Sequence, residues 1–146
     1  MSSPNSYTQS LTSSVLKTPI HTTLGITLTS QSPSPTPTAK IQFTTTAIHL
    51  TPSNTVHGGI SSLLIDTACF LAVIPSLSEG ESVATIASSF QILDAVPGEG
   101  RLYEVEGRVV RRGRTVVFCE GDVTCEGRLI AKGNLTKVVM REKSKL

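Results

Sequence analysis

The amino-acid sequence predicts an α+β domain, in which an antiparallel sheet carries one long helix. The first observation is an apolar stretch from His57 to Val73 that is rich in helix formers and contains no proline. The second is the position of the strand patterns, two before this stretch and four after it. A chain of 146 residues is most simply one domain of this kind.

The chain before the helix predicts an N-terminal arm and two strands. Residues 1–20 are polar and predict a flexible arm, within which Ser13–Lys17 is either a short helix or extended chain. Apolar and polar residues alternate over Thr22–Ser30 and again over Ala39–His49, which predicts two strands. Three prolines within residues 31–38 predict the loop between them, because proline does not join a central ladder.

The chain after the helix predicts four strands. They are rich in small and β-branched residues or alternate with a period of two, and glycine-containing turns separate them. The predicted strands are Val83–Leu93, Leu102–Arg111, Arg114–Cys125 and Arg128–Met140. The domain is expected to span residues 21–141 and to end in a charged tail, residues 142–146. Because one helix cannot cover both faces of six strands, we expect the other face or an edge to contact another subunit.

The predicted helix carries a single charged residue, Asp66. It is the only acidic or basic residue between Lys40 and Glu79. A helix that is apolar almost all round is expected to be buried on most sides. Burial disfavours the charged form of a carboxyl group, and carboxylates in such positions cluster at functional sites. Asp66 is therefore either a catalytic carboxylate or a structural one that bonds to a neighbouring hydroxyl.

Two glycines, Gly58 and Gly59, stand at the predicted start of this helix. The first turn of a helix has free N–H groups and a partial positive charge, and glycine lets a ligand approach the backbone. The pair predicts either a site for an anionic oxygen or only a tight turn into the helix. A donor at Gly59 and a carboxylate at Asp66 together suit acyl transfer.

The overall charge excludes the strongly basic classes of protein. The formal net charge is +2, and no block of lysine and arginine suggests binding to nucleic acid. Basic residues are more frequent in the last third of the chain, where they form either a phosphate-binding surface or a solvated face. No metal-ligand spacing is present, and we expect no cofactor.

The cysteines and the apolar runs bear on location. The three cysteines do not suggest a disulfide framework, and the N-terminus does not resemble a signal peptide, so a reducing, cytoplasmic setting is expected. No continuous apolar run reaches the roughly 18 residues that a membrane span needs. We therefore expect no membrane span.

The order of these elements, with His57-Gly58-Gly59 and Asp66, resembles the hotdog-fold acyl-CoA thioesterases, in particular the PaaI-like group. The likeness extends over roughly residues 22–140 and includes a Pro-Gly turn, a basic-Gly-basic hairpin and a closing strand. It implies an antiparallel sheet of about six strands wrapped around one long central helix. It also implies hydrolysis of an acyl-CoA or acyl-carrier thioester.

The resemblance assigns roles to the residues around the helix start. Asp66 is implied to be the catalytic carboxylate, as general base on water or as nucleophile on the thioester. The backbone N–H of Gly59 would polarise the thioester carbonyl beside Gly58, and His57 would hold the loop and the helix start. Coenzyme A enters as part of the substrate.

Other implied contacts lie further along the chain. The family's site is formed at a dimer interface, so the resemblance implies a homodimer or homotetramer in which Asp66 faces another subunit. Polar residues of the strand after the helix would face it, and the sequence leaves their register open between Ser82, Thr85 and Ser88. The hairpin formed by Arg111, Arg112, Gly113 and Arg114 is implied to lie near the phosphates of coenzyme A; as a bare turn it would need no ligand.

One position departs from the family pattern. The family commonly has asparagine six residues before the histidine, where this chain has Thr51, while Asn54 stands three residues before it. Either Asn54 substitutes from a shifted loop, or the hydrolytic water is poorly held. The departure keeps a second function open: a non-hydrolytic hotdog protein that binds or tailors an acyl or polyketide intermediate in a biosynthetic pathway.

Overall fold

The computed structural model describes residues 5–142, and these form a six-stranded antiparallel sheet around a long helix, as predicted. The helices are α1 (Ser6–Leu16), α2 (Pro19–Leu24) and α3 (Gly58–Val73), and the strands are β1 (Thr27–Ser32), β2 (Thr38–Thr44), β3 (Glu81–Ile92), β4 (Leu102–Arg112), β5 (Val116–Cys125) and β6 (Arg128–Arg141). The strand order is β1-β2-β4-β5-β6-β3. The predicted charged tail lies outside the described residues, apart from Glu142.

The helix α3 lies against the concave face of the sheet, where its backbone nearly touches β4. A Cβ atom on Gly107 would lie 2.4 Å from the backbone of Ala68 and Cys69. Gly107 pairs with Gly121 on β5, which pairs in turn with Gly133 on β6, so three glycines form a row across the sheet. At Gly121 a Cβ atom would lie 2.9 Å from the Ile65 side chain. Gly107 and Gly121 let the helix sit deep in the sheet, whereas Gly133 makes room for the Phe90 side chain.

The N-terminal segment is helical over Ser6–Leu16, so the prediction of a flexible arm is wrong for these residues. The side chain of Asn5 caps α1 by accepting a hydrogen bond from the Thr8 amide at 2.8 Å. The buried ring of His21 then fastens the segment, with Nδ1 2.7 Å from the Val15 carbonyl oxygen and Nε2 2.9 Å from Thr67 Oγ1. The segment is therefore packed on α3 by contacts that polarity alone does not reveal.

The first two strands are shorter than predicted, because helical turns replace one end of each. Pro19 begins α2, and Gly25 ends it at a φ of 69°, so β1 begins at Thr27 rather than at Thr22. β2 ends at Thr44, and Ala47–His49 forms a 3-10 turn. His49 closes this turn, with Nδ1 accepting from the Thr46 amide at 2.9 Å and Nε2 2.8 Å from the Leu24 carbonyl oxygen.

The sequence has no continuous apolar run of roughly 18 residues, but the central helical run passes a test of length and mean hydropathy for a membrane span. With the 3-10 turn that follows α3, the helical run Gly58–Ser76 has 19 residues and is long and apolar enough, by length and composition, to cross a membrane. The core helix of a soluble protein passes the same test. Here the burial of α3 residues against the sheet accounts for the apolar composition.

Candidate active site on the central helix

Asp66 is bonded to two residues from neighbouring strands. Thr85 on β3 donates a hydrogen bond from Oγ1 to Oδ1 of Asp66 at 2.7 Å. Lys137 on β6 places Nζ 2.6 Å from the same Oδ1 and 2.8 Å from Thr85 Oγ1. The three side chains form a closed triangle, because Thr85 and Lys137 face each other in the β3–β6 ladder.

The carboxylate itself is less buried than the sequence predicts. The Asp66 side chain is 43% exposed, whereas the side chain of Lys137 is only 3% exposed. One stripe of α3 is incompletely covered by the sheet, and Asp66 lies at its middle. The stripe consists of Gly59, Ser62, Leu63, Asp66 and Phe70. It is the only face of the helix that the chain's own described residues leave open.

Sequence reasoning missed Lys137, although a signal was present. The residues of β6 that face the helix alternate with those that face away, and Leu135, Lys137 and Val139 are all buried. A lysine in such a series predicts a paired charge, since lysine is almost never fully buried alone. The ammonium also lies 5.7 Å from the centre of the Phe70 ring, within the range of a cation–π contact.

Of the candidate residues on β3, the structure brings Thr85 to Asp66, and it does so within one chain. The expectation that Asp66 faces this strand in another subunit stays a prediction, and the structure adds a contact with the strand of its own chain. Ser82 pairs with Met140 on the opposite face of the sheet, because three residues separate it from Thr85. The ladder shifts register between Thr85 and Ala87, which returns Ser88, opposite Leu135, to the helix face.

The start of the helix is capped by His57. Its Nδ1 accepts a hydrogen bond from the Gly59 amide at 2.9 Å, in keeping with the role of holding the helix start. The amide that the resemblance assigns to the thioester carbonyl is therefore occupied in this structure. Gly58 packs beside β3, where an added Cβ atom would lie 3.4 Å from the Ile92 side chain.

Gly59 and Asp66 are seven residues apart on α3, which corresponds to a rise of about 10 Å along the helix axis. A reacting carbonyl group needs its donor and its attacking group at roughly 3 Å each. The two groups of one chain are thus separated along the open stripe.

The loop before the helix does not contact Asp66. It is closed by a hydrogen bond from the Thr51 amide to the Thr55 carbonyl oxygen at 2.8 Å, and the two threonine hydroxyls are 3.2 Å apart. Asn54 occupies the left-handed region at a φ of 63°, and its carbonyl oxygen accepts from the Gly98 amide at 2.9 Å. Both predicted site residues therefore lie in a turn that docks on the loop after β3.

The basic hairpin lies beyond the other end of α3. Arg112 donates to the Gly113 carbonyl oxygen, places Nε 3.3 Å from Ser76 Oγ, and forms an ion pair with Glu81 at 3.7 Å. Its guanidinium is thus used within the chain. The pKa of Glu81 is lowered, chiefly by a hydrogen bond from the Ser78 amide and then by its arginine neighbours. Arg114 is exposed and accepts from Arg112 through its carbonyl oxygen.

A sequence model that describes the thioesterase superfamily matches residues 53–132. This span includes the helix start, Asp66 and Thr85. The chain belongs to the thioesterase superfamily. Its general class is therefore that of a thioester hydrolase with a hotdog fold. A search of curated protein sequences found no significant match.

Solved structures of other proteins have the same fold as this member of the thioesterase superfamily. A thioesterase from Haemophilus influenzae superposes with a TM-score of 0.83 at 20% identity, covering 99% of this chain and 100% of its own. A phenylacetic acid degradation-related protein from Ralstonia eutropha gives 0.79 at 23%, covering 90% and 98%. A hypothetical thioesterase protein from Streptococcus pneumoniae, solved with coenzyme A, gives 0.70 at 23%, covering 82% and 88%. At these identities the likeness establishes the fold.

The three cysteines of this thioesterase-family domain are buried and differ in pKa, because the hydrogen bond with Cys69 lowers the pKa of the Cys119 thiol. A hydrogen bond with Cys119 and burial raise the pKa of the Cys69 thiol far above its ordinary value. Burial likewise raises the pKa of Cys125. Within residues 5–142 no cluster of histidine, cysteine, aspartate and glutamate could hold a metal ion.

An open concavity of about 420 Å³ lies on the convex side of the sheet. Its lining includes Val110 and Phe118, whose side chains are exposed, together with Ala87 and Thr136. It includes neither Asp66 nor Gly59. The candidate site is instead an open stripe on α3 that a single chain does not enclose.

Proposed function

We propose that the protein hydrolyses acyl-CoA thioesters with Asp66 as the catalytic carboxylate. The observation that carries the proposal is the geometry of this group, which is half-exposed on an otherwise apolar helix and held by Thr85 and Lys137 through Oδ1 alone. Among the described residues none donates a hydrogen bond to Oδ2. This oxygen faces the open stripe and is the reacting atom.

Two routes are consistent with a free Oδ2. As a general base it takes a proton from water, the water oxygen attacks the carbonyl carbon, and the C–S bond breaks. Coenzyme A leaves as the thiol after taking up the proton, and the acyl group leaves as a carboxylic acid. As a nucleophile, Oδ2 attacks the carbonyl carbon directly, the C–S bond breaks, and coenzyme A leaves as the thiolate. Water then cleaves the resulting anhydride, which releases the carboxylic acid and restores the Asp66 carboxylate. Half-buried Leu63 and Phe70 give the acyl group an apolar surface.

The oxyanion donor in this proposal is the Gly59 amide of a second chain. The separation along the helix, about 10 Å, supports an arrangement in which each site takes Asp66 from one subunit and Gly59 from the other. A thioester carbonyl would replace the His57 ring as the acceptor for that amide. The contact is expected to be isologous, through β3 and α3, in a homodimer or a pair of dimers.

The edge strand β3 supports this assembly. Among the strands of residues 5–142 it pairs only with β6, so its other side has no strand partner for most of its backbone N–H and C=O groups. Ile86 and Ile92 are exposed on this strand. A long apolar edge of this kind is normally covered in a stable protein. A second copy of β3 would cover it and bring the two helices together.

Coenzyme A is the proposed carrier of the acyl group. The pneumococcal relative of similar fold was solved with coenzyme A, which supports this choice. The exposed Arg111 and Arg114 of the hairpin are proposed to meet its phosphates, while Arg112 is held within the chain and orders the Gly113 turn. The three free cysteines support a cytoplasmic location.

The variant Asp66→Asn tests this function. It keeps the shape of the side chain and removes the base, so kcat for a panel of acyl-CoA substrates is expected to fall roughly 100-fold or more with little change in KM. Release of free thiol measures the rate. Asp122→Asn, on the outer face of β5, is the matched control and should retain wild-type kcat. Turnover by Asp66→Asn at the wild-type rate would show that Asp66 is not catalytic.

The second candidate is binding or tailoring of an acyl intermediate without hydrolysis. The observations that favour it are Thr51 in place of the family asparagine and the occupied Gly59 amide. Tight binding of an acyl ligand without turnover of any thioester by the wild-type chain would support it. A large gain in turnover on Thr51→Asn would show that the natural loop is not tuned for hydrolysis.

A further inference from the structure

Lys137 is the most unusual residue of the site. Its side chain is 3% exposed, and its ammonium group bonds to Asp66 Oδ1 and Thr85 Oγ1 and lies 5.7 Å from the centre of the Phe70 ring. It lies five residues beyond the span that matches the superfamily model.

A gain in stability does not explain why a buried lysine stands at position 137. Removing an ammonium group from water costs several kcal/mol, and apolar residues of the same size often stabilise a protein as well as a buried ion pair does. Lys137 stands between Leu135 and Val139, where an apolar residue would continue the packing. A charge retained at this position points to a role at Asp66.

We propose that Lys137 is a positioning residue that orients the Asp66 carboxylate for reaction. Lys137 and Thr85 both bond to Oδ1, from two strands that are fixed to each other by the β3–β6 ladder. Two fixed donors on one oxygen set the plane of the carboxylate. Neither donor bonds to Oδ2, which leaves this oxygen free to react. The lysine also compensates the negative charge of Asp66 next to the apolar core.

This inference rests on the proposed hydrolase function and adds a residue that acts through Asp66. Misplacing a reacting group by about 1 Å can lower a rate by roughly 100-fold. Lys137→Met keeps the length and the packing of the side chain and removes its donor. We expect kcat for acyl-CoA to fall roughly 10- to 100-fold, with KM changed by less than about twofold.

Two further variants distinguish a loss of Asp66 positioning from a general loss of activity caused by changing β6. Lys137→Arg keeps the charge and the donors and should recover a substantial part of the lost kcat, because an arginine can still bond to Oδ1. Lys132→Met is the matched control, since Lys132 lies on the same strand but is exposed, and it should leave kcat unchanged. A kcat for Lys137→Met within about threefold of wild type would overturn the proposal.

A stability measurement tests the pair without reference to activity. Asp66→Asn leaves the ammonium of Lys137 buried without its counter-charge, so the urea midpoint of this variant should fall. Adding Lys137→Met to Asp66→Asn should raise the midpoint again. Additive effects of the two substitutions would show that the residues do not interact and would overturn the proposal. An inactive wild type would instead overturn the hydrolase function itself.

Discussion

At the residue scale, the His57 ring occupies the backbone amide that the proposed site uses as its donor. Nδ1 of His57 accepts a hydrogen bond from the Gly59 amide, so in the proposed site the ring and the thioester carbonyl compete for that hydrogen. His57-Gly58-Gly59 and Asp66 are recognisable in the sequence because they are close together and of unusual type. The partners of Asp66 are not, because Thr85 and Lys137 reach it only through a strand register that the sequence leaves open.

His57→Ala should separate the two consequences of this competition. Loss of a cap is expected to lower the free energy of unfolding by about 1 kcal/mol. The freed amide should leave kcat for acyl-CoA unchanged or raise it. Chemical denaturation and steady-state kinetics measure the two effects. Asn5→Ala, which removes the cap of α1, is the control for stability alone. A folded His57→Ala protein with a tenfold lower kcat would mean that the ring acts on the substrate.

The buried Tyr103 is expected to make the free energy of unfolding depend on pH in the alkaline range. It is fully buried on β4, and its hydroxyl donates to the Val96 carbonyl oxygen at 3.1 Å. Burial raises the pKa of the Tyr103 hydroxyl above its ordinary value. The unfolded chain therefore loses this proton first, and the stability that depends on the neutral hydroxyl is lost as the pH rises above about 10.

Comparison with Tyr103→Phe isolates this effect. At neutral pH the variant should unfold about 1 kcal/mol more easily, because it lacks the hydrogen bond. Above about pH 10 the difference in free energy of unfolding between the two proteins should shrink, since only the wild type has the group that titrates. Urea unfolding at a series of pH values measures it. A difference that stays constant to pH 11 would contradict the expected shift.

At the scale of elements, two glycines of the row, Gly107 on β4 and Gly121 on β5, set the depth of the central helix. The strands and the helix could be predicted from the sequence, because their apolar periods are regular. The glycine row could not, since it is visible only when Gly107, Gly121 and Gly133 are placed in register. The helix α2 was not predicted, and α1 was predicted only in part, as a short helix or extended chain over Ser13–Lys17. Caps and the buried His21 add to the apolar contacts of these helices, and their polar sequences do not reveal this.

Gly107→Ala should strongly destabilise the domain. The added methyl group would lie 2.4 Å from the backbone of α3. Backbone atoms, unlike a side chain, cannot relieve the clash by changing rotamer. The free energy of unfolding is expected to fall by about 3 kcal/mol. Ser89→Thr adds one methyl group at an exposed position of β3 and should be nearly neutral. Equal unfolding midpoints for Gly107→Ala and wild type would show that the helix can move away from the sheet.

At the scale of the whole molecule, the proposed site needs two chains. The sequence predicts this only through the family resemblance. The structure adds a physical reason, the length of helix between Gly59 and Asp66. It also adds a candidate contact surface, the open stripe of α3 beside the unpaired edge of β3.

Complementation between two inactive variants tests the shared site. Asp66→Asn lacks the carboxylate, and Gly59→Pro lacks the amide hydrogen at a first-turn position that tolerates proline. Each variant alone should be inactive. When equal amounts are co-expressed, half of the dimers are mixed and each has one intact site, so about a quarter of the wild-type activity should return. An inactive mixture that contains mixed dimers would place both groups in one chain.

The position of β6 has a consequence for synthesis of the protein. This last strand lies between β5 and β3, and β3 pairs with no other strand of its own chain. While the ribosome is still making the chain, β3 must wait for a partner that begins about 36 residues after it ends, at Arg128. Such distant pairing closes slowly and leaves an apolar strand exposed in the meantime. The carboxylate and its lysine therefore cannot meet until β6 has been made.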